Sequence, residues 1–143
     1  IARLARERGA NVRSPRHAAL GVRALLPIAI ENAVEGCVRE AYGALVASYQ
    51  AERATPALRG VFGGIARDER AHATLADDVD RWLGERLDGP GRARVETARA
   101  EARAELRASL EAATGCDTLG LPDRRDAVAL FDAYFTTPAP TLS

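Results

Sequence analysis

Asp68-Glu69-Arg70-Ala71-His72 sits in the middle of a long helical pattern running from Pro56 to Leu87, and its reading decides the fold. Leu58, Phe62, Ile65, Ala76, Val79 and Leu83 fall on one stripe at helical spacing. Glu69 and His72 fill the remaining places on that stripe, while Arg67 and Arg70 point elsewhere. A carboxylate and an imidazole three residues apart lie on adjacent turns of one helix face and reach a common point. Burying them costs several kcal/mol unless they are paired or ligated. Their place on a core stripe therefore asks for a partner.

An upstream stretch repeats the pattern. From Ile28 to Gln50 the seam reads Ile28, Glu31, Glu35, Val38, Tyr42, Leu45, Tyr49, alternating by three and four. Glu35 stands in the middle of it and is the candidate ligand. Glu31, a turn nearer the helix start, reads as a solvated charge favoured by the free N–H groups there. Glu40 projects roughly opposite the seam on a wheel of about 3.6 residues per turn, an outer-face residue or a support behind the ligands. One Glu from each of two helices and a Glu-x-x-His from each of two more, all pointing into a four-helix bundle, make a carboxylate-bridged di-metal site. One set of each is present, which is half a site.

The run Glu31-Asn32-Ala33-Val34-Glu35-Gly36-Cys37-Val38-Arg39-Glu40-Ala41, followed by Asp68-Glu69-Arg70-Ala71-His72-Ala73, resembles the second helix pair of a bacterial ferritin-like domain. The Glu35 to Glu69 interval is close to that in rubrerythrins and ferritins, and Leu119-Gly120-Leu121-Pro122-Asp123 is similar to the C-terminus of such chains. The resemblance covers the sequence from about Leu20 onward. It implies an all-α, ferritin-like antiparallel helix bundle and a non-haem di-iron or iron–manganese centre, with Glu35, Glu69 and His72 as metal ligands. It also implies oxygen, peroxide or iron redox chemistry, and an Asp68 that hydrogen-bonds a ligating His of the opposite half. The other reading is a non-catalytic helical structural or interaction module whose incomplete site holds no metal.

The departure from the family lies upstream. Glu7 has no His at the right spacing, and His17 follows Pro15 in an expected loop. Ile1-Ala2-Arg3-Leu4-Ala5-Arg6 reads as the back end of a helix, stopped by Gly9, Ala10 and Asn11. The expectation is an incomplete bundle whose site is completed by a missing N-terminal helix pair or by a second copy in a homodimer.

Composition bounds the alternatives. All 20 basic residues are arginine, balanced by 20 acidic ones, and no basic patch is interleaved with aromatics, so a nucleic-acid role lacks its electrostatic footprint. No apolar run approaches the roughly 20 residues that span a bilayer. The compartment is weakly constrained, the cytoplasm slightly favoured. Cys37 and Cys116 are too few for a disulfide framework, and Cys37 reads as a small buried side chain.

Five helices are expected: Ile1 to about Arg8, about His17 to Ala54 with a break at Pro27, Thr55-Pro56 to about Leu87, about Arg92 to Ala113, and a last one from Pro122 until Pro138 and Pro140 end it. No strand is expected. Residues 1–90 would form the partial bundle and 91–143 a helical extension packed on it. Tyr42, Tyr49 and Trp82 are expected in the core or a packing groove, and Asp77, Asp78 and Asp80 on a solvated face.

Overall fold

The computed structural model describes residues 2–11, 13 and 21–136; Pro15, His17, Pro138 and Pro140 lie outside the described residues. A short helix α1 (Ala2–Glu7) precedes α2 (Leu25–Glu31), which continues without interruption through a π-helical stretch (Asn32–Glu40) into α3 (Ala41–Arg53). Then come α4 (Pro56–Gly84), α5 (Gly89–Ser109) with a closing 3-10 turn (Leu110–Ala112), strands β1 (Thr114–Cys116) and β2 (Leu121–Asp123), and α6 (Arg124–Phe135).

The chain is thus mostly helical, with one small hairpin that the sequence reading did not contain. β1 and β2 pair antiparallel, Thr114 opposite Asp123 and Cys116 opposite Leu121. Three-residue strands are too short to show an alternating pattern. Pro122 also reads against a strand, yet proline is tolerated on an edge. The hairpin clamps the α3–α4 corner: Thr55 N–H donates to the Thr118 carbonyl at 3.2 Å, and buried Gln50 Nε2 to the Leu119 carbonyl at 3.0 Å. Gly120, at φ +62°, lies against that corner so tightly that a Cβ there would stand 2.4 Å from the Ala54 nitrogen.

Helix boundaries moved for local reasons. Pro27 breaks nothing, because it falls in the first turn of α2, where its missing N–H has no partner to lose. α5 begins at Gly89 rather than Arg92, capped by Asp88, whose Oδ1 accepts from Gly91 N–H at 2.7 Å. α6 begins after Pro122, where Asp123 accepts from Asp126 N–H at 3.0 Å.

The long helix and α4 pack antiparallel, as the short corner at Ala54–Thr55 requires. Ala29 shares a core cluster with Leu83, Gly36 meets Ala76, and Arg70 Nη1 donates to Ser48 Oγ at 2.9 Å. Val95 of α5 joins Ala29, Ala33 and Leu83 in one cluster; Tyr42, Leu110, Ala127 and Phe131 form the second, which seats α6 on α3. Tyr42 Oη donates to the Ala127 carbonyl at 3.1 Å. Trp82 and Asp80 depart from the core and solvated-face positions expected of them. Trp82 is 48% exposed, its ring under the Arg86 guanidinium 4.2 Å from the centroid. Asp80 is drawn inward by Arg99, 2.6 Å away, and ties α4 to α5. No helix of the described residues is long and apolar enough to cross a membrane.

Candidate metal centre

The π-helical stretch determines the shape of the site. Its hydrogen bonds reach one residue further than those of an α-helix, as where Ala41 N–H donates to the Gly36 carbonyl. Wider turns bring residues five apart nearly into line. Glu40, which an ordinary helix would turn away from the seam, therefore joins Glu31 and Glu35 in lining one open cleft of about 440 Å³. Across it α4 contributes His72, Leu75, Ala76 and Val79.

The cleft floor is a helix crossing made by small residues. A Cβ on buried Gly36 would lie 2.6 Å from that of Ala76, so only glycine admits this approach. Asn32 pins it: its Nδ2 donates to the Ala76 carbonyl at 2.9 Å, with Cys37 Sγ 3.7 Å from the same oxygen. The sequence reading missed Asn32. Its signal was a short polar residue one turn before a glycine on a helix that otherwise buries alanine.

The expected ligands come together in pairs. Glu35 and His72 share the cleft; Glu69 lies beside it, its Oε2 3.5 Å from His72 Nδ1. Among the described residues no three of His, Cys, Asp or Glu stand close enough to hold an ion. The seam is also wetter than expected. The His72 side chain is 57% exposed and that of Glu69 32%, Asp68 is exposed, and Leu58, Phe62 and Ile65 are half-buried, whereas Val38 and Tyr42 are buried as the periodicity requires. α5 and α6 cover other parts of the helix pair, and no described element packs over this side.

Each cleft carboxylate near the long helix start has a counter-ion of its own. Glu35 meets Arg39 Nη1 at 2.8 Å. Glu31 accepts from Arg23, and that hydrogen bond, reinforced by the guanidinium charge, holds its carboxyl below the usual range. An incoming cation would have to displace these arginines. Burial, followed by the charge of Asp80, pushes the Cys37 thiol up to about 11, so in the metal-free protein it stays protonated at neutral pH. Carboxylate and imidazole donors suit iron and manganese, and the residue types that meet at this cleft among the described residues are of that kind.

Compared with protein-family models, with curated proteins and with solved structures, the chain has no match.

Proposed function

We propose that this chain supplies one half of a non-haem di-iron, or iron–manganese, centre of the ferritin-like kind, serving oxygen, peroxide or iron redox chemistry. Glu35, Glu69 and His72 are its ligands. The observation that supports this reading is the cleft itself, in which a π-wound stretch sets Glu35 and Glu40 beside Glu31 of α2 and across from His72 on the facing helix. Helix segments of this rare winding occur frequently at functional sites. A bound ion of this class supplies two redox states and open coordination positions. Glu35, now paired with Arg39, and the His72 imidazole would hold the ion, with the Glu69 carboxylate beside His72 as the third ligand. Glu31 and Glu40 add charge at the rim, and Asp68 faces the other half. That half is a further helix pair or a second copy.

Anaerobic titration with Fe(II) and Mn(II) tests the reading. Stoichiometric binding once the second half is present, lost in Glu69→Leu and in His72→Ala, upholds it. A folded, fully assembled protein that takes up neither ion overturns it.

A non-catalytic helical interaction module is the second reading. It is favoured by the ion pairs of Glu35 with Arg39 and Glu31 with Arg23, which satisfy the carboxylates without a metal. Under it, removing either glutamate leaves metal content unchanged at zero.

A further inference from the structure

On α4, Val61, Ile65, Asp68, His72, Leu75 and Val79 follow one another at intervals of four, three, four, three and four. That alternation keeps a stripe on one side of a helix packed along another. The spacing is the same from either end, with Arg70 at its midpoint, and so is the chemistry: two apolar residues, two ionisable ones, two apolar ones. Leu58 and Trp82, each three residues further out, extend both symmetries. The stripe borders the open cleft. Asp68, His72, Leu75 and Trp82 are exposed, Leu75 at 61%, and the others are half-buried. Scattered exposed apolar residues are ordinary; here the two exposed ones, Leu75 and Trp82, belong to a self-complementary row whose half-buried Val79 also packs against the cluster of Ala29, Ala33, Leu83 and Val95.

We propose that a second copy of this chain docks antiparallel along this stripe, α4 against α4, about a two-fold axis at Arg70. Such an isologous contact needs a surface complementary to itself. Antiparallel pairing sets Asp68 against the partner's His72, Ile65 against the partner's Leu75, Val61 against the partner's Val79, and Leu58 against the partner's Trp82. Each carboxylate meets an imidazole, once on either side of the axis, and each apolar group meets an apolar group. Parallel pairing would oppose Asp68 to the partner's Asp68, so charge fixes the direction. The two His72 then lie four residues apart along the helices, about 6 Å, and the two clefts become one. In its consequence for chemistry the inference rests on the proposed half-centre, since it names a second copy as the other half; the contact itself needs no metal.

Sedimentation velocity on the 143-residue chain over a concentration series, with chelator and reductant present, tests it. A reversible dimer is expected. His72→Asp opposes carboxylates at both crossings and weakens association by about tenfold or more, because two attractive pairs become repulsive together. The swapped variant Asp68→His with His72→Asp restores it to within about threefold, and Leu75→Arg, with helical content unchanged by circular dichroism, gives a monomer. A chain monomeric up to about 100 μM, the range of weak specific association, or a dimer indifferent to His72→Asp and Leu75→Arg, overturns the inference. Removing the chelator separates the two ideas. A dimer that obeys the swap but takes up neither Fe(II) nor Mn(II) upholds the contact and sinks the metal reading; a chain that takes up metal but stays monomeric sinks the contact and leaves the metal.

Discussion

Gly36 and Ala76 are in contact at the level of their β positions: a carbon added to Gly36 would sit 2.6 Å from the Ala76 methyl. Gly36→Ala therefore forces the long helix off α4, where Ala76 is also buried. Inserting a methyl group into a packed crossing costs about 1–3 kcal/mol, despite alanine's better helix propensity. Urea unfolding of the variant beside the parent reads it directly, and an unchanged midpoint would contradict the close crossing.

Glu69→Leu separates ligand from scaffold. The Glu69 side chain is one-third exposed and its contact to His72 is 3.5 Å, so its loss changes the stability of the metal-free chain by no more than about 1 kcal/mol. Iron or manganese uptake by the assembled protein is expected to disappear. Thermal unfolding without metal and metal analysis with it form the pair of measurements. A clear fall in metal-free stability with unaltered metal content would rule out the ligand role.

The Cys37 thiol gives the fold a pH dependence at alkaline values. Its folded pKa is raised to about 11, above the roughly 8.5 of an unfolded chain. The folded state therefore holds the proton through a window in which the unfolded state has lost it, and stability falls as pH rises from about 8.5 to about 11. Cys37→Ala is expected to flatten that part of the curve. Alkylation with iodoacetamide should show Cys37 slow at neutral pH and accelerating toward the top of the window.

Asp80 and Arg99 join α4 to α5 at 2.6 Å, with side chains 28% and 15% exposed. Asp80→Ala removes one of the two carboxylates that the largely buried Arg99 guanidinium holds, leaving Glu96 at 3.1 Å, and is expected to cost about 1.5–3 kcal/mol, the range for a charged hydrogen bond. Replacing both residues by apolar ones should cost less than either single change. A double-mutant cycle by chemical unfolding checks this.

Where the apolar period is strong, as from Pro56 to Gly84, sequence and structure agree on the helix and on its antiparallel partner. Thr55-Pro56 marked the start of α4 correctly, although Thr55 works through its backbone N–H to Thr118 and not through a side-chain cap. Three features could not be read. A seam of threes and fours conceals a π-helical stretch, because Glu31, Glu35 and Val38 keep helical spacing while the shift is felt at Glu40. Three-residue strands around Gly115 and Gly120 have no period to detect. The exposure of Glu69, His72 and Trp82 depends on what covers their face, which is decided by other elements and not by their own spacing. The residue types of the candidate centre were legible; their accessibility was not.

The π-helical stretch also uncouples the two ends of the helix it interrupts. Ala29 and Ala33, near its start, are in rotational phase with Leu83 and Val95, while Tyr42, beyond it, is in phase with Ala127 and Phe131. A uniform α-helix would fix one of these alignments from the other, since each residue advances the side chain by a constant angle. The wider winding between Asn32 and Glu40 acts as a phase shifter. Deleting one residue there would rewind the helix toward regular geometry and turn Tyr42 out of register with α6, so this segment tolerates substitution far better than it tolerates a change of length.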